Sequence, residues 1–321
     1  MALTDIDGQR LGDSVADKLG DRNLIINGAM NVWQRGTSQT TSGSYGADRF
    51  WMSSASSAAR STDAPAGFTY STKLTHSASD MSMGQPIELP ATGKQGQLVA
   101  GTTVTLTYYA KVDSGTEAIG TAINFRDSKF SGTNEVAFTS SNANATWTTT
   151  WTRYEHQFTV PTVAGTNVLA GLEITGISKD AYVTGVQLEV GNTATPFQHE
   201  PYAKTLAKCM RYYQKYTSSL NGFGISGAGY CETSTQTEFI FFLTVPMRTL
   251  ASANITEIGD LEVKVGSLNF DVTGLDGVAF NDNFSLATVR TTNSNSGASA
   301  GTVARLRANG AGAGFQFNAE L

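Results

Sequence analysis

Alternation of apolar and polar residues is the feature that most constrains the fold of this chain. In "TTVTLTYYAKV", Val104, Leu106 and Tyr108 share one face, whereas Thr105 and Tyr109 share the other. A period of two residues is that of a β-strand with one buried face. Similar segments recur, namely "AIGTAINFR", "WTRYEHQFTVP", "NVLAGLEI" and "AYVTGVQLEVG", and no helical pattern separates them. Strands without crossover helices do not form a parallel α/β sheet, so we predict an all-β fold built on a jelly-roll β-sandwich.

Charge and hydropathy exclude two classes of partner. Charged residues make up 15% of the chain and the net charge is −5, whereas an average globular protein has about 25% charged residues. Lys and Arg do not cluster, and phosphate backbones require a basic face, so we expect no nucleic-acid partner. No apolar run approaches the ~20 residues that span a bilayer, so we expect no membrane insertion. The first residues lack the pattern of a signal peptide, which predicts synthesis in the cytoplasm.

The stretch "VQLEVGNTATPFQHEPYAKTLAKCMRYYQKY" breaks the strand-like pattern. After Pro196 and Pro201, apolar residues recur at helical spacing, at Leu206, Cys209 and Tyr213. We therefore predict a linker helix over 201–216 that packs on the preceding sandwich. We expect Cys209 and Cys231 to remain buried thiols, because the place of synthesis is reducing.

These patterns divide the chain into four parts. Residues 1–22 are polar and we expect them to form an N-terminal attachment arm, although a frayed terminus fits as well. At the start of the next part, "NLIINGAMNVWQRG" predicts two short strands around an Asn27–Gly28 turn. The predicted domains are a jelly roll at 23–200, the linker helix at 201–216 and a second, smaller β-sandwich at 217–321.

Five motifs give the chain a resemblance to a known module. They are Asn27 to Gly36 (ending in WQRG), Asp48 to Trp51, Gln187 to Glu189 (QLE), Thr195 to Phe197 (TPF) and Cys209 to Gln214 (CMRYYQ). In this order they resemble a module of bacteriophage tail-fibre and virion surface proteins, which is itself similar to carbohydrate-binding jelly rolls. The chain departs from the module at Gln198-His199-Glu200, where an acid followed by Arg is more usual.

The resemblance implies a non-enzymatic bacteriophage virion protein on the exterior of the particle. The leading hypothesis is a tail-fibre-like, receptor-binding appendage that engages host surface glycans. The alternative is a capsid decoration or cement protein (head fibre) that stabilises the shell, and a tailspike glycan hydrolase is a third hypothesis. The implied partners are other tail or capsid proteins, copies of the same chain in a homo-oligomer, most simply a trimer, and a host glycan.

Glycan-binding candidates come from aromatic residues, because sugar-binding β modules stack rings on pyranose faces. Trp147 and Trp151 are four residues apart and would point to the same side of one strand. Trp151 stands where a core strand begins, so we predict a structural role for it and an exposed, glycan-binding role for Trp147. Tyr109, opposite the core-facing Tyr108, is the second candidate.

Carbohydrate-binding jelly rolls often hold one structural calcium ion, and Asp48 and Glu189 are the acids available for it. We nevertheless favour the interpretation that both are surface carboxylates and that the chain has no cofactor.

The apolar run Phe239 to Leu243 predicts a strand buried on both faces, in a core or in a subunit interface. Phe239, Phe241 and Phe242 are accordingly the candidates for an oligomer interface. No catalytic motif appears, and pairs such as Asp113 with Glu117 carry no catalytic signal by themselves.

Overall fold

The computed structural model describes residues 22–320, apart from the segments 55–56, 91–95, 128–134, 141, 164, 166, 168, 218–223, 250–251, 257–259, 282, 295–297 and 311. The predicted attachment arm lies outside the described residues except for Arg22. The chain divides into two compact units, with the boundary between Thr205 and Leu206. Almost all regular structure in the described part of the chain is β-strand, which confirms the all-β prediction.

The first unit is a sandwich of two antiparallel sheets. The first sheet has seven strands in the order β1-β4-β5-β14-β7-β12-β10, and the second has the order β11-β8-β13-β6-β3-β2, with β9 paired to β8. The strands are β1 (Ser38–Gln39), β2 (Ser44–Tyr45), β3 (Trp51–Ser53), β4 (Ser57–Ser61), β5 (Ser71–Thr75), β6 (Met81–Glu88), β7 (Thr103–Val112), β8 (Glu117–Arg126), β9 (Val136–Ala137), β10 (Thr139–Ser140), β11 (Asn144–Trp147), β12 (Thr152–Thr159), β13 (Leu169–Ile177) and β14 (Ala181–Val190).

The sandwich core lies between the two sheets and follows the predicted alternation. In β7, Leu106 and Tyr108 are buried in the core, and their register partners in β12, His156 and Tyr154, point to the same side. Residues of opposite parity on these strands therefore form the outer face of the first sheet.

The opening motif is a turn without the flanking strands that its sequence predicts. Asn27 has a φ of 62°, and the backbone N–H of Met30 donates to its carbonyl oxygen at 2.9 Å. In place of the backbone–backbone hydrogen bonds of a hairpin, side-chain oxygens accept the backbone N–H groups of this segment. Ile26 N–H donates to Gln85 Oε1 at 2.7 Å, and Val32 N–H donates to Asn27 Oδ1 at 3.0 Å. The motif also meets the closing strand β14, because Val186 N–H donates to Gly28 O at 3.0 Å. A side chain on Gly28 would collide with Val186 O, 2.0 Å from its Cβ position.

The helix α1 (Tyr202–Met210) is shorter than predicted. Residues Tyr213–Thr217 form strand β15 instead, and Tyr213 pairs with Asn318 in β23 (Gly314–Asn318). The aromatic residues of "YYQKYT" favour strand over helix once a partner strand is present. The predicted helical stripe therefore ends before Tyr213, which is buried in the second unit.

The second unit is β structure that closes into a barrel, where we predicted a sandwich. Its barrel strands follow the cyclic order β16-β17-β21-β20-β19-β22, and β15, β23 and β18 form a separate three-stranded sheet. Closure leaves no open edge in the barrel, which stabilises an all-β unit of this size. The remaining strands are β16 (Gly224–Cys231), β17 (Gln236–Phe242), β18 (Ser252–Thr256), β19 (Leu261–Val265), β20 (Leu268–Phe280), β21 (Leu286–Asn293) and β22 (Val303–Ala308).

Strand β17 is buried on one face only, which corrects the prediction of two buried faces. Phe239 and Phe241 are 0% and 2% exposed and lie in the core of the second unit, where Phe241 contacts Phe315 with ring centroids 5.2 Å apart. They are wrong as interface candidates, because the strand alternation turns them inward. Phe242 points outward and is 76% exposed, so it remains a candidate.

Candidate functional site

The two tryptophans of "TWTTTWT" differ in exposure from the prediction, because Trp147 lies in the core and Trp151 lies at the surface. Trp147 is 0% exposed and packs in the core against Tyr108, with ring centroids 5.8 Å apart. Trp151 is half-buried on the surface. The prediction failed because β11 ends at Trp147 and β12 begins at Thr152, so the two residues do not share one strand.

Trp151 belongs to a cluster of aromatic and charged side chains on the outer face of the first sheet. The cluster, here called the platform, consists of Asp63, Lys73, Lys111, Trp151, Asp180 and Tyr182. Tyr182 in β14 pairs with Lys111 in β7 on one side and with Lys73 in β5 on the other. Because Ala181 and Val183 on either side of it are buried in the core, strand alternation places Tyr182 on the outer face.

The two lysines flank the aromatic rings of the platform. The Nζ atom of Lys111 lies 4.9 Å from the Tyr182 ring centroid and 5.5 Å from that of Trp151, and the Nζ atom of Lys73 lies 5.6 Å from Tyr182. These distances are those of cation–π contacts. The rings of Trp151 and Tyr182 meet edge to face with centroids 6.3 Å apart.

Asp63 joins the tryptophan to the lysine. Its carboxylate accepts a hydrogen bond from Lys111 Nζ at 2.6 Å and another from Trp151 Nε1 at 2.9 Å. The hydrogen bond from Lys111 is the main reason that the pKa of Asp63 is below its usual value, and burial acts in the opposite direction. Asp63 is therefore an ionised acceptor at neutral pH.

Asp180 holds the other side of the platform. It lies 3.4 Å from Lys73 Nζ, and its Oδ1 accepts the His76 backbone N–H at 2.8 Å. Partial burial lowers the pKa of Lys73, but Tyr182 and Asp180 raise it by more, so the net shift is upward. The platform thus presents two ammonium groups and two carboxylates beside two half-buried rings.

Tyr109, the second predicted glycan-binding residue, lies two residues before Lys111 on the same face of β7. It is half-buried and contacts Phe68 with ring centroids 5.4 Å apart, and Phe68 in turn contacts Phe197 and His199. Gly185 in β14 allows this packing, because a Cβ there would lie 2.7 Å from Phe68 and 2.8 Å from Tyr109. Tyr109 therefore extends the platform toward the loop that carries Phe197, and its contact with a glycan remains a prediction.

The QLE and TPF motifs form a buried hydrogen-bond network. The carboxylate of Glu189 accepts hydrogen bonds from Thr195 Oγ1 at 2.5 Å, Thr195 N at 3.2 Å and Gln187 Nε2 at 2.8 Å. Gln187 Oε1 accepts the backbone N–H of Gln198 at 2.7 Å. Both motifs thus hold the loop that follows β14 against the sheet.

Asp48 holds the opening motif in place through similar hydrogen bonds. Its carboxylate accepts Gln34 N at 2.9 Å and Gln34 Nε2 at 2.5 Å, and Arg35 lies 4.0 Å away. Burial raises the pKa of Asp48, and the Arg35 charge and the Gln34 hydrogen bonds act in the opposite direction.

The calcium site considered at Asp48 and Glu189 has no ligand set in the described part of the chain. Asp48 and Glu189 are both buried, so they are not the surface carboxylates that we favoured. Each is occupied by N–H or O–H donors of the protein. The described residues contain no group of three or more His, Cys, Asp and Glu side chains placed to bind a metal ion.

His156 is buried in the sandwich core and has a structural role. Its Nδ1 donates to the carbonyl oxygen of Asn142, so its Nε2 accepts the hydroxyl proton of Tyr108 at 3.1 Å. Burial is the main reason that its pKa is below the usual 6.5. Glu117, one of the carboxylates considered for catalysis, also has a partner, since it accepts a hydrogen bond from Ser178 Oγ at 2.9 Å.

Comparisons with known proteins give similar structures but no sequence relative. No protein-family model and no curated protein matches the chain. Similar solved structures include the xylan-binding CBM22-1 domain of Paenibacillus barcinonensis Xyn10C, with a TM-score of 0.35 and 12% identity over 54% of this chain and 96% of that one.

Two further structures are similar over about half of the chain. The C-terminal family 22 carbohydrate-binding module of Clostridium thermocellum Xyn10B has a TM-score of 0.35 and 14% identity over 50% of this chain and 94% of that one. The enzymatically active domain of bacteriophage CBA120 tailspike protein 4 has a TM-score of 0.33 and 15% identity over 53% of this chain and 21% of that one. Within the described residues, no helix is long and apolar enough to span a membrane.

Proposed function

We propose that the first unit binds glycans and that the platform is its binding surface. The observation that carries this proposal is the placement of the Trp151 and Tyr182 rings beside two ammonium groups and two carboxylates. An aromatic ring packs against the apolar face of a pyranose, while charged groups at its edge exchange hydrogen bonds with the hydroxyls. The platform supplies both kinds of contact on one sheet face.

The charges of the platform favour an uncharged sugar. Lys73 and Lys111 balance Asp63 and Asp180, so the platform has no net charge to attract an acidic ligand. A sugar hydroxyl is both a donor and an acceptor, and neighbouring hydroxyls can donate to Asp63 and accept from Lys111. The bound ring is therefore expected to be a neutral hexose or a similar sugar.

For the biological role of the chain, we propose that it is a non-enzymatic bacteriophage virion protein that acts as a tail-fibre-like, receptor-binding appendage. The support is the resemblance of the five motifs. In the structure, Gly28 of the opening motif accepts a hydrogen bond from Val186 in β14, the strand that carries QLE, and Glu189 of QLE accepts one from Thr195 of TPF. Many copies of one shallow platform would bind a host surface by avidity, which suits a homo-oligomer such as a trimer.

A capsid decoration protein is the second candidate, favoured by the outer surface of the barrel. Phe242 is 76% exposed and Val303 is 67% exposed, and Ile240 and Tyr230 lie on neighbouring outward positions. Exposed apolar side chains on neighbouring strands are typical of protein–protein contacts. Densitometry of purified particles separates the candidates, because decoration requires hundreds of copies per head and a tail appendage requires a few tens or fewer.

The test of glycan binding is Trp151→Ala on an array of bacterial surface polysaccharides. We expect binding to fall about tenfold or more, which corresponds to a loss of about 1.4 kcal/mol. Tyr202→Ala is the matched control, because Tyr202 is an exposed aromatic residue outside the platform. Equal binding by wild type and Trp151→Ala would refute the assignment of the platform, and release of reducing ends from the polysaccharide would refute the non-enzymatic role.

A further inference from the structure

A second concave site lies in the first unit, where β14 ends. It is a cleft of about 730 Å³, and the residues that matter for its chemistry are Arg22, Gln97, Val99, Val190, Asn192 and Thr193. Its volume falls within the range of about 300–1,000 Å³ of small-molecule sites. None of these residues belongs to the platform.

One wall of the cleft is held in place by hydrogen bonds to neighbouring strands. Gly191 N–H donates to Thr103 O at 2.8 Å, and Gly191 O accepts Thr105 Oγ1 at 2.8 Å. Gln157 Nε2 donates to Asn192 O at 2.9 Å. The side chains of Asn192 and Thr193 therefore extend from a backbone that is already ordered. This reduces the conformational-entropy cost of ordering the site when a ligand binds.

The backbone at Val99 and Arg22, which also line the cleft, is held by hydrogen bonds too. Thr102 N–H donates to Val99 O at 3.1 Å, and Gly101 N–H donates to Val160 O at 2.8 Å. Arg22 is anchored through its backbone N–H, which donates to Gln198 Oε1 at 3.0 Å. The cleft is thus bounded by backbone that the fold already orders.

The side chains of the cleft divide into apolar and polar groups. Val99 and Val190 are 56% and 36% exposed, so their apolar side chains are accessible to a ligand. Gln97, Asn192 and Thr193 supply amide and hydroxyl groups. Aliphatic surface next to such groups suits a sugar ring, whose faces are apolar and whose edge carries hydroxyls.

Two charged residues line the cleft within the described part of the chain, and Arg22 contributes a guanidinium. Glu189 also lines the cleft, but its carboxylate is buried and accepts three hydrogen bonds from Thr195 and Gln187. A guanidinium binds a carboxylate through paired, charge-assisted hydrogen bonds. The cleft therefore differs from the charge-balanced platform in the ligand that it selects.

We propose that this cleft binds a carboxylate-bearing sugar residue of the uronic acid type, with its carboxylate on Arg22 and its ring on Val99 and Val190. The inference goes beyond the proposed function, because the cleft can bind an acidic sugar whether or not the platform binds a neutral one. The same residue can come from free glucuronate or from the end of an acidic polysaccharide, and the two probes of the test distinguish these sources.

The test is a titration of the whole chain with glucuronate, followed by amide chemical shifts in NMR and by calorimetry. Glucose is the uncharged control ligand, and a glucuronate-terminated oligosaccharide is the second probe. We expect glucuronate to shift the amides of Gln97, Asn192 and Thr193, and Arg22→Gln to weaken binding about tenfold. Arg60→Gln is the matched control, because Arg60 is an exposed arginine of the same unit that stacks on Tyr70 away from the cleft.

Three outcomes would overturn the proposal. They are equal shifts with glucose and glucuronate, unchanged affinity in Arg22→Gln, and no shift of the cleft amides at millimolar glucuronate. Trp151→Ala separates this site from the platform, since we expect that variant to bind glucuronate normally. Loss of glucuronate binding in Trp151→Ala would assign the acidic sugar to the platform and refute a separate cleft site.

Discussion

Replacing Trp147 by alanine removes a fully buried indole from the core of the sandwich. The ring packs against Tyr108 and Tyr154, with centroid distances of 5.8 and 6.2 Å. Trp→Ala at such a site costs about 3–5 kcal/mol, because apolar burial is lost and a cavity remains. For a unit of about 150–250 residues, each kcal/mol lowers the melting temperature by about 2–4 °C, so we expect a drop of about 6–20 °C for this unit.

Trp151→Ala provides the comparison within the same short segment. Its ring is half-buried, and its hydrogen bond to Asp63 lies at an exposed position, so we expect a loss of about 1 kcal/mol. Differential scanning calorimetry and urea denaturation of both variants measure the two costs. A cost for Trp147→Ala no larger than that for Trp151→Ala would refute the assignment of one tryptophan to the core and the other to the platform.

Two further predictions concern the support of the platform and of the core. Gly185→Ala is expected to lower the free energy of unfolding by about 1–3 kcal/mol and to reduce glycan binding, because Gly185 has a φ of +64° and a Cβ there would collide with Phe68 and Tyr109. Gly277→Ala is the control in urea titrations, because nothing lies within 4 Å of its Cβ position. Equal losses of stability in the two variants would contradict the predicted collision. For His156, burial lowers the pKa in the folded state, so the unfolded state binds more protons below about pH 6.5. The free energy of unfolding should then fall as the pH drops below 6.5; His156→Gln should lose this part of the pH dependence, whereas His199→Gln, at an exposed site, should keep it.

The strands with clear alternation could be predicted because their pattern is local. In β7 the inward residues Leu106 and Tyr108 and the outward Tyr109 follow directly from the period of two. The same rule failed across "TWTTTWT", because the chain leaves β11 at Trp147 and starts β12 at Thr152. A turn within a Thr-rich segment has no strong signal in the residue types, so the platform could not be located from the sequence.

Pairing between strands that are distant in the sequence explains the other differences between the predicted and the observed fold. Strand β15 forms where a helix was expected because Tyr213–Thr217 pair with β23, about 100 residues later in the chain. Closure of the barrel depends on the pairing of β16 with β22, for example Tyr230 with Val303. Neither partner is encoded by periodicity, since a strand pattern fixes which face is buried and not which strand lies beside it.

A crystal structure of the chain with an oligosaccharide from the polysaccharide that it binds best on the array would locate the sugar directly. We predict a neutral sugar ring over Trp151 and Tyr182, with hydroxyls within hydrogen-bond distance of Asp63 and Lys111. A neutral sugar bound on the barrel of the second unit, or on the first unit without contact to Trp151 or Tyr182, would contradict this prediction.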